Sequence, residues 1–149
     1  MKVALVASAG GHLAQLIALN KFWKDTERTW ATFELPEVKD ALDKEQVDFV
    51  HFPTTRNIPN AIRNLGVAWQ VLRREKPDAV ITTGAAVAVP FFLIAKVLGI
   101  KTVFIECYDR ITMPTLSARI CYPLSDLFIV QWDEQKKTFP DAVNIGAIL

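Results

Sequence analysis

The chain has 149 residues, of which 51% are hydrophobic and 22% are charged, and its formal net charge is +1. This composition is typical of one globular domain with a single core, and it excludes a disordered chain. The small net charge gives no overall field that would favour nucleic acid. The two cysteines, Cys107 and Cys121, form no metal-binding pattern, and we expect both to be buried thiols in a reducing compartment.

Short apolar runs alternate with helical patterns along the chain. The runs predict strands at 3–7, 30–33, 47–52, 79–81, 102–105 and 127–130, with a last short strand at 142–145. The segments between them predict helices at 13–21, 37–45, 57–76, 86–98, 115–124 and 133–139. Near-continuous apolar strands are typical of a parallel sheet that is buried on both faces. The alternation therefore predicts one α/β domain over residues 1–149, built as a Rossmann-like doubly wound parallel sheet.

The segment SAGGH follows the first predicted strand and precedes a helix. Glycines such as Gly10 and Gly11, next to Ser8, let a backbone approach an anion, and a helix N-terminus supplies free N–H groups. The segment lacks the Gly-x-Gly-x-x-Gly spacing, which disfavours a dinucleotide. His12 lies in the first helical turn, where the helix dipole favours the neutral imidazole that a general base requires. A tight turn with a solvent-facing histidine is the alternative interpretation.

Thr83, Gly84 and Ala85 repeat this pattern after the strand at 79–81. Ligands of open parallel sheets bind beyond the carboxyl ends of the strands, so we expect the two loops at one edge. A single diphosphate is able to bridge two such loops. The alternative is a threonine that only caps the following helix.

Charged residues follow two further strands. Glu106 and Arg110 come after the strand at 102–105, where a carboxylate can orient a sugar hydroxyl or act as acid or base, and an arginine can bind a phosphate. An internal ion pair between Glu106 and Arg110 is the alternative. Arg56 and Asn57 follow the strand at 47–52, where they either clamp an anion or begin the long helix.

The long helix at 57–76 has two distinct faces. One face carries apolar residues at spacings of four and three, which we expect to pack inward: Ile58, Ile62, Leu65, Trp69 and Leu72. Arg63, Val67 and Arg74 lie opposite, and five basic residues against one acidic residue give positions 56–76 a net charge of +4. A basic and apolar outward face suits an anionic membrane surface, with a solvated face as the alternative. Since no apolar run reaches the roughly 20 residues that cross a bilayer, we expect peripheral membrane contact.

Five segments in this order resemble the asparagine-linked glycosylation protein 14 family, including its bacterial exopolysaccharide and capsule branch: SAGGH, FPTTRNIPNAIRN, KPDAVITTGAAVAVP, FIECYDR and DLFIVQW. The resemblance covers essentially the whole chain. This family is similar to the N-terminal half of GT-B glycosyltransferases, which holds a lipid-diphosphate acceptor. The resemblance implies that a partner chain supplies the other half, which binds the nucleotide sugar, and that the site forms between the two chains.

The resemblance also implies a function and a location. The chain would be the acceptor-binding, membrane-associating subunit of a two-chain inverting glycosyltransferase at the inner face of the cytoplasmic membrane. This enzyme would move a sugar from a UDP-sugar, bound mainly by the partner, to a polyprenyl-diphosphate-linked saccharide. We expect no metal and no cofactor. The main alternative is a non-catalytic scaffold that recruits and activates a donor-binding partner, and a free-standing small-molecule enzyme is disfavoured by the missing nucleotide motif.

The family motifs imply roles for the residues that match them. Residues 8–12 resemble the first phosphate loop and residues 83–85 the second. Glu106 resembles an acceptor-side carboxylate, although Cys107 and the two residues after it depart from the related two-domain enzymes. An inverting transfer requires a base for the acceptor hydroxyl, and His12 is the first candidate, with Glu106 the second.

Overall fold

A computed structural model describes residues 1–147 as a sheet of seven parallel strands in the order β3-β2-β1-β4-β5-β6-β7. The strands are β1 Lys2–Val6, β2 Glu27–Phe33, β3 Val47–Val50, β4 Ala79–Thr82, β5 Lys101–Ile105, β6 Leu127–Val130 and β7 Val143–Asn144. The order reverses between β1 and β4, which creates a crevice at their carboxyl ends. The predicted doubly wound sheet is confirmed, and residues 148 and 149 of the predicted domain lie outside the described residues.

Over the described part of the chain, six α-helices connect the strands: α1 Gly11–Ala18, α2 Asn20–Trp23, α3 Pro36–Ala41, α4 Ile58–Glu75, α5 Ala88–Leu98 and α6 Leu116–Cys121. The predicted helix at 13–21 is interrupted at Leu19, and the Trp23 indole N–H donates to the Leu16 carbonyl at 2.8 Å. The helix predicted at 133–139 is a 3-10 helix over Asp133–Lys137. Pro90 lies in the first turn of α5, where its missing N–H costs no hydrogen bond.

The helices cover the two faces of the sheet unequally. On one face, α4, α5 and α6 enclose a core in which the Phe104 and Phe128 rings stack at 4.9 Å. On the other face, α1 and α3 pack over β1 and β2, around Leu16, Trp30 and Val38. The arrangement is that of a doubly wound fold, with the second layer concentrated on one half of the sheet.

Within residues 1–147, one part of the sheet has no helix packed over it. This surface is formed by alternate residues of β4, β5 and β6, and we call it the open sheet face. Its residues are Ile81, Val103, Ile105, Leu127 and Ile129. Together with Phe22 of α2, which is 75% exposed, these residues line an apolar groove of about 590 Å³. The alternate side chains of the same strands are buried under α5. The fold therefore leaves an apolar surface beside the carboxyl-terminal half of the sheet.

Helix α4 packs on the sheet through a different face from the predicted one. Ile58 and Ile62 are 74% and 62% exposed, and Trp69 is 42% exposed, whereas Asn64 is fully buried. The inward orientation expected for these three apolar residues is therefore wrong, although Leu72 is buried as expected.

Hydrogen bonds to the preceding loop explain the orientation of α4. The Asn64 side chain accepts from the His51 N–H at 2.8 Å and donates to the His51 carbonyl at 3.2 Å. The Asn60 amide donates to the Pro53 carbonyl at 2.8 Å. These bonds hold the asparagine side chains toward the loop after β3, so the asparagines face inward and the apolar row turns outward.

The predicted membrane-facing set on α4 changes as a result. Val67 is half-buried against the core, and Arg74 forms ion pairs with Asp48 at 2.5 Å and Glu75 at 2.9 Å. Arg63 is exposed and donates to the Asn60 side chain. Of the three predicted residues, only Arg63 is exposed and has no carboxylate partner among the described residues 1–147.

Candidate functional site

The loops after β1 and β4 meet at the switch point of the sheet. His12 Nδ1 lies 2.9 Å from the Thr83 carbonyl oxygen, and the Thr83 hydroxyl donates to the His12 carbonyl at 2.5 Å. His12 is half-buried, and its ring is held between the two loops. The predicted convergence of these two segments is therefore present as direct contact.

Two helix N-termini open at this junction without side-chain caps. Helix α1 begins after Gly10, whose φ of 83° requires a glycine, and neither α1 nor α5 has an acidic residue in its first turn. Gly10 and Gly11 are exposed and Ser8 is half-buried. The N–H groups and the positive dipole end at the start of α1 favour an anion at this edge. At the start of α5 the Ala88 and Val89 N–H groups donate to the Ala85 and Ala86 carbonyls, so the turn before α5 contributes its dipole end more than free donors.

The loop after β4, residues 83–85, is largely buried against His12. Thr83 and Gly84 are buried and Ala85 is half-buried, so Ala85 and the turn after it form the accessible part of the loop. Gly84 has a φ of 112°, its N–H donates to the Thr82 hydroxyl at 3.0 Å, and a Cβ added there would lie 3.4 Å from His12 ring atoms. The Gly84 backbone therefore packs directly against the His12 imidazole and limits where that ring can lie.

Cys107 is a further contact of His12. Its Sγ lies 3.1 Å from His12 Nδ1 and 3.3 Å from the Thr83 carbonyl, and it is 4% exposed. Burial raises the pKa of the Cys107 thiol to about 12, so the sulfur stays protonated at neutral pH. The expectation of two buried thiols is confirmed, but the contact with His12 was missed. The available signal was the position of Cys107 at the carboxyl end of a central strand.

Glu106 lies behind this contact with no exposed surface. Its carboxylate accepts from the Cys107 N–H at 2.9 Å and from the Thr115 N–H at 3.4 Å. Burial raises the pKa of the Glu106 carboxyl above its ordinary value, while these N–H donors oppose the shift. Arg110 is exposed, and within residues 1–147 it makes no direct ion pair with Glu106, although its charge also lowers the pKa of that carboxyl. The alternative interpretation of a direct ion pair is therefore wrong.

Two buried glutamines hold the loop after β5. Gln131 donates to the Glu106 carbonyl at 3.0 Å, and Gln135 donates to the Arg110 carbonyl at 2.6 Å and the Cys107 carbonyl at 3.3 Å. These residues were not singled out as site residues from the sequence. A glutamine directly after the apolar strand β6 was the signal that could have found Gln131.

Arg56 and Asn57 lie in the loop after β3, at the same edge of the sheet but beyond a different strand. They follow β3, the edge strand, which is two strands or about 10 Å from β1. Asn57 caps α4 by accepting from the Asn60 N–H at 3.0 Å, which is the alternative role the sequence allowed. Arg56 is exposed, with a φ of 49°.

Two general features of the described residues bear on the site. No group of three His, Cys, Asp or Glu side chains within residues 1–147 could hold a metal ion. None of the helices over the same range combines the length and the hydropathy that a membrane span requires.

The strand order, with its switch point between β1 and β4, defines a Rossmann-like, doubly wound domain. The family model for "Oligosaccharide biosynthesis protein Alg14 like" matches residues 3–148. The chain belongs to this Alg14-like family, which confirms the resemblance seen in the sequence motifs.

Two relatives with established names are glycosyltransferases. The human UDP-N-acetylglucosamine transferase subunit ALG14 is 26% identical over an alignment that covers 100% of this chain and 83% of that protein. The second, from Bacillus licheniformis, is the UDP-N-acetylglucosamine--N-acetylmuramyl-(pentapeptide) pyrophosphoryl-undecaprenol N-acetylglucosamine transferase. It is 26% identical over 88% of this chain and 39% of its own length.

Solved structures share the fold at low sequence identity. Acinetobacter baumannii MurG superposes with a TM-score of 0.74 at 16% identity, over 90% of this chain and 43% of that chain. UDP-N-acetylglucosamine 2-epimerase from Rickettsia bellii superposes with a TM-score of 0.78 at 16% identity, over 99% of this chain and 45% of that chain. The chain thus spans less than half the length of these proteins, and at such identities the likeness establishes the fold alone.

Proposed function

We propose that this chain is the acceptor-binding subunit of a two-chain inverting glycosyltransferase. The enzyme moves a sugar from a UDP-sugar to a polyprenyl-diphosphate-linked saccharide. The observation that carries the proposal is the contact of His12 with the Thr83 loop between two uncapped helix N-termini. The human relative is named a transferase subunit, and the name of the Bacillus relative includes a pyrophosphoryl lipid acceptor.

The acceptor diphosphate binds at the N-terminus of α1, beside the turn that precedes α5. Ser8, Gly10 and Gly11 offer backbone N–H groups at the start of α1, and Ala85 opens the turn before α5. Arg110, exposed in the loop after β5, supplies a cation at the same edge of the sheet. Arg56 stands at the far end of this edge, where it attracts the anion without forming the cradle.

His12 acts as the general base of the transfer. Its imidazole takes the proton of the acceptor hydroxyl while that oxygen attacks the anomeric carbon of the donor sugar. The bond from this carbon to the UDP oxygen breaks, and its electron pair leaves on the diphosphate. His12 is half-buried and open to an acceptor, whereas the buried Glu106 anchors the loop that carries Cys107. We therefore assign Glu106 a supporting role.

Activity of the assembled enzyme tests these roles. The chain is co-expressed with a donor-binding partner from the neighbouring reading frame, and transfer from UDP-sugars to a polyprenyl-diphosphate acceptor is measured. We expect His12→Ala to lose roughly 10²–10⁴-fold in kcat with the complex intact. The isosteric Glu106→Gln retains activity within a few-fold, provided that the chain folds. Full activity in His12→Ala contradicts the base assignment and supports the scaffold alternative.

The partner docks on the open sheet face. A row of half-buried isoleucine and valine side chains beside an apolar groove of about 590 Å³ is unusual for a finished domain surface. Structures of this fold are more than twice the length of this chain, which supports a second polypeptide as the covering element. Phe22, at the rim of the groove, is the most exposed aromatic residue of this surface.

The outward row of α4 contacts the membrane. Ile58, Ile62 and Trp69 are exposed on one side of the helix, and the Arg73 guanidinium lies 5.3 Å from the Trp69 ring centre. Positions 49–74 contain no acidic residue. Apolar side chains that enter the acyl boundary, with arginines at the headgroups, favour an anionic bilayer surface and a peripheral location.

Two substitutions separate these surfaces from each other. Ile62→Glu places a negative charge on α4, and we expect it to abolish sedimentation with vesicles that contain phosphatidylglycerol while partner binding is retained. Phe22→Glu has the opposite effect: partner capture is lost and vesicle binding is retained. Each variant is thus the control for the other. A variant that loses both partner capture and vesicle binding, or that loses neither, contradicts the assignment of the surfaces.

A further inference from the structure

Two groups surround one nitrogen of the His12 imidazole. The Thr83 carbonyl oxygen lies 2.9 Å from Nδ1, and Cys107 Sγ lies 3.1 Å from the same atom. A carbonyl oxygen only accepts hydrogen bonds, so the short contact requires a proton on Nδ1. A neutral imidazole carries one ring proton, which leaves the lone pair on Nε2.

We propose that the Thr83 carbonyl and the Cys107 thiol hold His12 in its Nδ1–H tautomer and direct Nε2 at the acceptor hydroxyl. Cys107 is thus a positioning residue, because it acts through His12 and not on the substrate. The tautomer is a property of the chain itself. Only its use in proton transfer rests on the proposed function.

The thiol adds two things that the carbonyl cannot supply alone. At 4% exposure, Cys107 fills the space beside Nδ1 and keeps water from competing for the Nδ1 proton. Its S–H group donates to the Thr83 carbonyl at 3.3 Å, and its sulfur lone pairs face the Nδ1 proton. Because the buried thiol is neutral, the contact carries no thiolate charge that would trap the imidazolium. The ring is therefore held in one orientation without a fixed anion.

The backbone around the pair is fixed by further contacts. The Cys107 N–H donates to the buried Glu106 carboxylate at 2.9 Å, and Gln135 donates to the Cys107 carbonyl at 3.3 Å. On the opposite side, the Thr83 hydroxyl donates to the His12 carbonyl at 2.5 Å. A thiol on so constrained a segment has a defined position relative to the imidazole, which is what the positioning role requires.

Nitrogen NMR of the full chain tests the tautomer without any activity measurement. The chain has two histidines, so a sample labelled with ¹⁵N in histidine gives two rings, and His51→Gln assigns them. At a pH where the imidazole is neutral, we expect the His12 ring to show the long-range correlation pattern of a protonated Nδ1. Cys107→Ser keeps a donor and an acceptor and retains this pattern, whereas Cys107→Ala produces a mixture of tautomers. An Nε2-protonated ring in the unmodified chain overturns the proposal, and an unchanged ring in Cys107→Ala overturns the role of the thiol.

Kinetics of the complex with its partner test the consequence for transfer. We expect Cys107→Ala to lower kcat by roughly 10–100-fold with the KM of the acceptor unchanged, because a misplaced base loses alignment and not binding. Cys107→Ser recovers most of the rate. A matching loss in Cys107→Ser overturns the positioning role. An active His12→Ala complex instead refutes the proposed function while leaving the NMR result on the tautomer intact.

Discussion

Replacement of Gly84 by alanine tests how strongly the loop after β4 is constrained. The Gly84 φ of 112° lies beyond the left-handed region near 57° that other residues occasionally adopt. A residue forced into such a conformation costs roughly 1–3 kcal/mol. The new Cβ would lie 3.4 Å from His12 Cε1, His12 Nδ1 and Phe104 Cζ, which is ordinary van der Waals contact. The expected loss of about 1–3 kcal/mol therefore comes from the backbone and not from a clash.

Chemical denaturation of Gly84→Ala and of the unmodified chain measures this cost. At roughly 2–4 °C per kcal/mol for a chain of this size, the loss corresponds to a Tm lower by roughly 2–12 °C. If the backbone relaxes to a negative φ, the hydrogen bond from the Gly84 N–H to Thr82 is broken and the His12 ring shifts. We therefore also expect a changed His12 NMR signal and a lower kcat in the assembled enzyme.

Gly99→Ala is the matched control for this substitution. Gly99 ends α5 with a φ of 72°, and a Cβ there would have nothing within 4 Å. Its cost is the backbone penalty of about 1–2 kcal/mol, without an effect on His12. A Gly84→Ala chain within about 0.5 kcal/mol of the unmodified one would refute the reasoning, since substitutions without a structural mechanism usually have effects of that size.

Three further substitutions test the interpretation of the fold by urea denaturation. Asn64→Ala removes both side-chain bonds to His51 and should cost roughly 2–3 kcal/mol, against less than about 0.5 kcal/mol for the exposed Gln70→Ala; equal effects would contradict the inward face of α4. Lys2 and Arg74 lower the pKa of Glu75 to about 2, so the ionised carboxylate stabilises the folded chain at pH values above 4.5 and this contribution is lost as pH falls toward 2. Glu75→Gln should therefore destabilise by roughly 1–3 kcal/mol at pH 7, and the difference should shrink below pH 4.5; a difference independent of pH would exclude the charge as its cause. Phe104→Ala opens a cavity beside the Phe92 and Phe128 rings and beneath Gly84, and we expect a cost of roughly 3–5 kcal/mol; a loss below 1 kcal/mol would show that the core closes over the site.

The central strands were predictable from the sequence alone. The observed bounds of β4, β5 and β6 differ from the predicted ones by at most one residue at either end. Runs such as LFIV lack the alternation of a half-exposed strand, and this pattern predicted a parallel strand correctly. The pattern did not show that one side of β6, with Leu127 and Ile129, belongs to the open sheet face. The meeting of His12 and Thr83 followed from topology, because parallel strands bring the loops at their carboxyl ends to one edge of the sheet.

The orientation of α4 was not predictable in the same way. Its hydrophobic period correctly identified a helix but placed Ile58 and Ile62 on the wrong side. Periodicity measures how apolar residues are arranged, and it does not record that the backbone at His51 and Pro53 requires the asparagine side chains. The contact of Cys107 with His12 was hidden for a related reason, because it joins side chains 95 positions apart through tertiary structure.

The open sheet face also has a consequence for the cell that makes this chain. An exposed apolar surface on a folded domain is a site of self-association and of capture by chaperones. If the proposed partner covers this face, a copy synthesised without it would keep the apolar surface exposed for its whole lifetime. Under the proposed two-chain function, balanced production of the two chains would be a requirement for solubility as well as for catalysis, and any excess of this chain would be the first to aggregate or to be degraded.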